Sequence, residues 1–444
     1  MTFSEPQIES LAPKPAAFKA AQKLVSSGKI ISSGQSERAL WGSIQGSGKK
    51  PYNTQIDIQD LAYKCSCPSR QFPCKHALTI LLLNSKGEVA ENSEEPAWVI
   101  EWIDKRRAKS SAPAKEKKEL TEEDIAAREK QKNKRAEDRV VLVNSGVEEL
   151  DKWLQDIVRI GLLELPNRPY EDFQKMAARM VDAKAPGLAG WVRALGEINF
   201  ADAHAWHKEA MMIIAKLNLL LRSWERRDTL NAPWQATIRN LVGWSQSTKE
   251  LKTNKEAYAV KDEWLVLGTE EEASDDITVR RQWLWGCSSA ESVLILSFGT
   301  RFSAIETSLV AASVLEAEVA YFPAVVPQRG IVRMQKSISN ILKTPPAKHA
   351  NLQELLQAHH KRIALNPWLN NQCYLLEEVQ LVKLKKDWAI VDAEKAYMPL
   401  VEEEAMIMKW MLYSGNQPVG VAVVMKGQSM KVLGVFAQSK YYVL

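Results

Sequence analysis

The chain has 444 residues, of which 45% are hydrophobic and 25% charged, and its formal net charge is +5. This length predicts two to four domains of about 100–200 residues each, and the composition excludes a largely disordered chain, a collagen and a coiled-coil fibre. No apolar run reaches the ~20 residues that span a bilayer, and the first residues lack the apolar segment of a secretion signal. The five cysteines are too few, and odd in number, for a disulfide framework, so we expect a cytoplasmic protein.

The first hundred residues are predicted to form a small α+β unit built around a β-hairpin. Residues 52–59 alternate in the way that is typical of a half-buried strand, and a glycine-rich turn at 46–51 joins them to an earlier strand. Pro73 is expected to lie in the first turn of the next helix, which ends near Gly87. In chain order, we predict a helix at 16–25, extended segments at 39–45, 52–59 and 63–67, and a helix at 76–83.

The rest of the chain is predicted to contain three further regions. Residues 104–139 hold 13 basic and 9 acidic residues and hardly any large apolar ones, so we expect a charged linker or a solvated helix. From Leu150 onward, apolar residues recur at helical spacing. The predicted fold class is α+β, with a zinc finger domain at 1–103, a helical domain at 140–260 and a mixed α+β domain at 261–444. In the last domain we predict strands at 293–298, 318–322, 419–425 and 430–436. The last two of these strands are expected to form a hairpin.

Four candidate metal ligands lie within twelve residues. Cys65 and Cys67 are two residues apart in a predicted extended segment, so both side chains face the same side, and Cys74 and His76 follow at the entrance to a helix. Zn²⁺ prefers four thiolate or imidazole ligands in a tetrahedron, and a site with four protein ligands is structural. We therefore predict one structural zinc ion, whose removal would unfold this small unit locally. The alternative, buried free cysteines beside an incidental histidine, fits poorly with three of five cysteines in so short a window.

This pattern resembles a known family. The order Cys-x-Cys then Cys-x-His, after a hairpin and before a helix, resembles a SWIM-type zinc finger over about residues 38–84. Residues 40–43 and 64–70 also resemble the bacterial SWIM zinc finger proteins of similar length. The resemblance implies zinc binding by the same four residues and contact with DNA or with proteins. It also suggests a system that contains MoxR-type ATPases and von Willebrand A-type proteins.

Five basic residues near the finger form a candidate surface for nucleic acid. The excess positive charge lies in residues 1–139, which hold 24 basic and 19 acidic residues. Phosphate contacts need only cations, so binding through such a surface would be independent of sequence. The alternative is that these cations offset the charge of the thiolates and solvate a loop. The five residues are Lys49, Lys50, Lys64, Arg70 and Lys75.

The other histidines are weaker candidates for a site. His204 and His207 are three residues apart on a predicted helix and could share a metal ion, but no third ligand accompanies them. His359 and His360 precede two basic residues, so we expect them at a polar helix end.

Two further patterns favour structural explanations. Residues 42–50 are rich in glycine and end in two lysines, but they lack the spacing of a phosphate-binding loop and are better explained as a turn. Cys287 and Cys373 have no base that the sequence can assign to them, so we expect both in the core.

The sequence as a whole favours a non-enzymatic, zinc-binding interaction protein. In this hypothesis the finger supports docking to a protein partner, in the kind of ATPase and von Willebrand A-type system that the resemblance suggests. The alternative is a protein that binds DNA or another nucleic acid through the basic edge of the finger. No constellation of acid, base and nucleophile is visible, which argues against an enzyme with a small-molecule substrate. No membrane partner is expected.

Overall fold

The computed structural model describes most of the chain. The described residues are 3–46, 50–69, 72–91, 93–111, 122–202, 205–244, 246–273, 277–300, 305, 309–342, 346–385, 387–401, 404–438 and 440–444. Among the helices in these ranges, none has both the length and the apolar character needed to cross a membrane.

The N-terminal unit is a four-stranded antiparallel sheet with helices on both faces. The strands lie in the order β1-β2-β3-β4, so each pairs with its neighbour in the sequence. The predicted hairpin is present, with Leu40 opposite Ile56 and Ile44 opposite Tyr52. The elements are α1 (Glu5–Leu11), α2 (Pro15–Val25), β1 (Ile30–Gln35), β2 (Ala39–Ile44), β3 (Tyr52–Asp57), β4 (Ala62–Cys65), α3 (Lys75–Ser85) and α4 (Ala97–Ser111).

The two faces of this sheet bury different helices because side chains alternate along each strand. Leu40 and Ile56 share a core with α3, whereas Trp41 packs with Val99 of α4 on the other face. Gly42 lies on the α3 face, where a Cβ atom would meet the side chain of Ile80. This close approach of strand and helix explains the first glycine of segment 42–50 without a phosphate ligand.

Basic residues of the charged stretch bind the sheet. Arg106 forms ion pairs with Asp57, at 3.5 Å, and with Asp60, and Arg107 lies 3.4 Å from the same Asp57 carboxylate. The Asp57 side chain is only 3% exposed. These two arginines therefore fix α4 against the sheet, so this part of the stretch is a helix paired with the sheet and not a free linker.

The middle of the chain is helical. Its longest helix, α5, continues without a break past residue 140, so the charged stretch and the start of the helical region share one helix. Apolar residues of α5 to α9 form one core, which includes Leu150, Phe173, Val192 and Trp224. The helices are α5 (Glu122–Ile160), α6 (Tyr170–Asp182), α7 (Pro186–Gly196), α8 (Trp206–Glu225), α9 (Ala232–Val242) and α10 (Thr248–Thr253), with 3₁₀ turns at Leu162–Asn167 and Arg227–Thr229.

The C-terminal region begins with a closed sheet of five strands in the order β5-β6-β7-β9-β8. Its one parallel pair joins β7 to β9. The strands predicted at 293–298 and 318–322 are present as β7 and β8. The strands are β5 (Ala259–Ala273), β6 (Ile277–Gly286), β7 (Ser292–Thr300), β8 (Val314–Tyr321) and β9 (Arg329–Ser339).

A six-stranded antiparallel sheet follows, in the order β12-β11-β10-β13-β14-β15. The predicted hairpin of β13 and β14 is confirmed by their pairing. One face packs on the closed sheet, where Leu375 and Val424 meet Trp283 and Leu265, and α11 and α12 cover the other face. The elements are α11 (Leu352–Leu365), β10 (Cys373–Leu384), β11 (Asp387–Asp392), β12 (Tyr397–Pro399), α12 (Glu404–Ser414), β13 (Val419–Lys426), β14 (Ser429–Ala437) and β15 (Lys440–Val443).

The N-terminal unit and the closed sheet share one hydrophobic core. Ile8 and Phe18 belong to the same buried cluster as Trp264 and Leu315. Hydrogen bonds join the same two parts, and Gln7 Nε2 donates to the carbonyl oxygen of Ala311 at 3.0 Å. The closed sheet therefore completes the core of the finger unit, and the local unfolding of this unit on metal removal stays a prediction.

Candidate metal centre

The end of β4 and the start of α3 supply the four candidate ligands. Cys65 is the last residue of β4, and Cys67 follows two residues later. Cys74 is the N-cap of α3, with extended backbone angles (φ −76°, ψ 167°), and His76 lies in the first turn. The prediction that Pro73 lies in this first turn is wrong, because Cys74 takes the cap conformation and the helix begins at Lys75.

The four ligand atoms converge on one point. The three sulfurs and the imidazole nitrogen all lie within 4.8 Å of one another. The Nδ1 atom of His76 is 3.8 Å from the Cys65 sulfur and 3.9 Å from the Cys74 sulfur. In a zinc tetrahedron with bonds of about 2.0–2.3 Å, ligand atoms are about 3.6–3.8 Å apart. The observed spacing therefore fits one Zn²⁺ ion with little adjustment.

The surroundings hold the ligands in place. Cys74 and His76 are each only 3% exposed, and Cys65 and Cys67 are half-buried. The His76 ring lies 5.0 Å from the ring of Tyr52, measured between centroids. This packing favours the orientation in which Nδ1 faces the sulfurs, and it connects the metal centre to the start of β3.

The three thiols differ in how easily they lose a proton. A hydrogen bond from the Cys74 thiol lowers the pKa of Cys65 to about 4. The same hydrogen bond, followed by burial, raises the pKa of Cys74, and burial raises that of Cys67. Repulsion within this sulfur cluster thus disfavours more than one negative charge unless a cation is present. Zn²⁺ would supply that charge and displace the thiol protons.

A hairpin and a helix joined by a closed Cys₃His site define a structural zinc finger. The comparison with protein families identifies its type. Residues 52–84 match the SWIM zinc finger, and residues 138–242 match the SWIM-associated four-helix bundle domain. Residues 52–84 therefore form a SWIM zinc finger with a zinc-binding cluster, as the resemblance implied, and residues 138–242 form a SWIM-associated helical domain. No curated protein and no solved structure shows a significant match.

Two of the five candidate basic residues, Lys64 and Lys75, do not share one surface. Lys49 and Arg70 lie outside the described residues, and Lys50, Lys64 and Lys75 are exposed. Lys64 is opposite Gln55 in the sheet, on the face that α4 covers, whereas its neighbour Cys65 points to the α3 face. Lys75 begins α3. Lys64 and Lys75 are thus on opposite faces of the sheet.

The weaker histidine patterns have different outcomes. His204 lies outside the described residues, while His207 stacks on Trp206 with ring centroids 3.7 Å apart. The prediction that His359 lies at a polar helix end is wrong. This residue is only 6% exposed within α11, and its Nδ1 lies 3.2 Å from the hydroxyl of Tyr374. It faces β10, an arrangement that neighbouring residues in the sequence do not reveal.

The two single cysteines lie in the core. Cys287 and Cys373 are each 3% exposed, as expected, and they belong to the cluster between the two C-terminal sheets. Burial raises the pKa of Cys287 to about 12, so this thiol stays protonated and unreactive at neutral pH.

One feature of the site was missed in the sequence. A groove of about 590 Å³ runs beside the metal centre, between α2 and the finger. The alanines of α2 are the only signal that could have indicated it, because small side chains leave space beside a helix. Its walls include Ala17, Ala20, Leu24, Lys29, Tyr52, Cys67, Pro68, Pro73, Cys74, Lys75 and His76.

Proposed function

We propose that the protein is a non-enzymatic docking protein, and that the groove beside its zinc finger receives a segment of a partner protein. The observation that carries this proposal is the position of the groove, whose wall is formed in part by the metal ligands themselves. Its volume of about 590 Å³ is large enough to hold several side chains of a partner.

The lining of the groove indicates the chemistry of the partner. Ala17, Ala20 and Leu24 form an apolar wall along α2. Lys29 and Lys75 are exposed residues that also line the groove. An apolar wall with two cations suits a short protein segment that carries both apolar and acidic side chains.

The metal supports this function through the shape of the groove. Cys67, Cys74 and His76 are both candidate zinc ligands and groove residues, so the ion would fix the wall against which a partner packs. All four coordination positions are filled by protein, which leaves no position for a water or a substrate. This closed arrangement favours a structural over a catalytic role. The resemblance to SWIM proteins makes an ATPase and von Willebrand A-type system the first place to search for the partner.

Site-specific photo-crosslinking tests the proposal. A benzophenone amino acid at position 20 faces the groove, and we expect it to capture a discrete partner segment in native cells. The matched control is position 19, where exposed Lys19 lies one residue away and outside the groove. Peptide mapping by mass spectrometry identifies the captured segment.

The crosslink at position 20 should require the metal. We expect it to disappear in a Cys74→Ser background, because one ligand is lost and the wall is no longer fixed. Equal capture at positions 19 and 20, or capture that is independent of the metal ligands, would contradict docking in the groove.

A second candidate function is nucleic-acid binding. The observation in its favour is that Lys50, Lys64 and Lys75 are exposed and, in the part of the chain that the structure describes, have no ion-pair partner. Phosphate contacts would make the affinity for DNA fall steeply with salt.

A titration of DNA and RNA at several salt concentrations decides between the two functions. If the finger binds phosphates, a Lys49→Ala/Lys50→Ala variant should lower the slope of log affinity against log salt by about two, since each phosphate contact contributes about 0.9. Lys64→Ala, on the face of the sheet that α4 covers, is the comparison. If neither DNA nor RNA binds at low salt, the nucleic-acid function is excluded and the docking function remains.

A further inference from the structure

A second cavity, of about 250 Å³, lies between the helical domain and the closed sheet. Three separate segments line it, namely α9, the connection from β8 to β9, and the residues that follow α11. A ligand in this cavity would contact all three at once.

Arg329 is the one charged residue among the described residues that line the cavity. Its backbone is fixed at the start of β9, where its carbonyl oxygen accepts a hydrogen bond from the backbone nitrogen of Phe322 at 2.9 Å. Its guanidinium carbon lies 5.2 Å from the centroid of the Phe322 ring. The aromatic ring thus holds the guanidinium on the cavity wall.

Among the described residues, Arg329 has no ion-pair partner. Within the described ranges, no carboxylate pairs with this guanidinium, and its Nε atom is buried without an acceptor. Burial lowers the pKa of Arg329, which is the expected effect on a cation that has no anionic partner. Arg329 as a whole is only partly buried, but leaving a buried N–H donor without an acceptor is costly. The Nε atom in the cavity wall therefore favours an acceptor, such as an anion, as the occupant of the cavity.

Asn366 offers a further donor. It is 5% exposed and lines the same cavity. Its Oδ1 atom accepts a hydrogen bond from the backbone nitrogen of Trp368 at 3.1 Å, which leaves the Nδ2 hydrogens for a ligand. A guanidinium and an amide together suit a carboxylate, since two parallel hydrogen bonds from an arginine match its two oxygens.

The rest of the cavity is mainly apolar and small. A volume of about 250 Å³ holds about eight groups the size of a water molecule, at about 30 Å³ each. A carboxylate with one ring or a short aliphatic chain is of this size. The apolar lining residues are Leu241, Phe322, Ala324, Val326, Trp368 and Leu369.

We propose that this cavity is a binding site for a small organic carboxylate, with the carboxylate on Arg329 and its apolar part against Phe322 and Trp368. The site is independent of the zinc finger and of its docking groove. Occupation by such an anion would link α9 to the closed sheet and stabilise the junction between them.

Calorimetric titration of the full-length, zinc-loaded protein with benzoate tests the proposal. We expect benzoate to bind and to raise the thermal unfolding midpoint. Benzyl alcohol, which has the ring without the charge, should bind at least tenfold more weakly, and inorganic phosphate, which has charge without the ring, should also bind more weakly. Arg329→Gln should lower the affinity for benzoate at least tenfold, and Arg329→Lys should retain only part of it, because the planar fork is lost.

Two further variants separate binding from folding. Arg239→Gln, at an exposed position of α9 outside the cavity lining, should leave the affinity unchanged. Leu241→Trp should fill the cavity and abolish binding while Arg329 remains. The proposal is overturned if benzoate does not bind at millimolar concentration, if benzyl alcohol or phosphate binds as tightly, or if benzoate binds equally to the Arg329→Gln and Leu241→Trp variants.

Discussion

Replacing Cys74 by serine is expected to remove the zinc ion and unfold the segment from β3 to α3. Structural zinc contributes an apparent binding free energy of about 10–16 kcal/mol in small fingers, and this energy is also folding energy. Cys74 is a candidate ligand directly before α3, so loss of the metal also releases the start of this helix from β4, although serine itself is a suitable N-cap. Metal analysis of the purified protein should fall from about one equivalent of zinc to near zero, and amide hydrogen exchange should rise across residues 52–85.

The same variant should also destabilise the closed sheet. Because Phe18 and Trp264 belong to one core, we expect faster exchange in β5 and β8 as well as in the finger. Cys287→Ser is the control, since this buried cysteine lies far from the cluster in the sequence and in a different core, and it should retain a full equivalent of zinc. Full zinc in a Cys67→Ser/Cys74→Ser double variant would show that other residues bind the metal.

Gly187→Ala is expected to destabilise the helical domain by about 3 kcal/mol, at the upper end of the usual cost of overpacking. A Cβ atom at position 187 would lie 2.7 Å from the carbonyl carbon of Val242 and 2.8 Å from the backbone nitrogen of Gly243, and would also meet the carbonyl oxygen of Leu241. These are backbone atoms at the end of α9, so no side-chain movement relieves the contact. Urea unfolding followed by far-UV circular dichroism measures the effect.

Gly190→Ala is the matched control in the same helix. Nothing lies within 4 Å of a Cβ atom at this position, and alanine is favoured over glycine in a helix interior by about 0.5–1 kcal/mol. We therefore expect a small gain in stability. Equal unfolding midpoints for the two alanine variants would contradict the close packing of α7 on α9. Zinc content should be unchanged in both, because the bundle core and the finger core are separate clusters.

The metal centre was predictable because its ligands are close in the sequence. Four ligands within twelve residues need only an extended segment and a helix start to converge, and both conformations leave local patterns. The hairpin from β2 to β3 was predictable for the same reason, since alternation and a glycine-rich turn are local. The strand β1 was missed because Ile30–Gln35, an edge strand, shows no clear alternation.

Features that depend on distant residues were not predictable. The sequence around the arginines of α4 is typical of a charged linker, because only the fold shows that both arginines pair with Asp57. From the sequence, His359 is expected at a polar helix end, because only the fold shows that Tyr374 of β10 lies against it. Nothing in the sequence near Arg329 indicates that it has no ion-pair partner among the described residues, since pairing depends on the whole fold. Likewise, the groove at the metal centre requires α2 and the finger to meet.

The shared core also has a consequence for biosynthesis. Trp264 and Ile338, which complete the packing of α1, α2 and α3, are synthesised some 180 to 330 residues after those helices. Contacts so distant along the chain form slowly, and until then the apolar surface of the nascent N-terminal segment is exposed to aggregation. A finger cut out of the chain would remain in that state permanently, so its stability should be measured in the intact polypeptide.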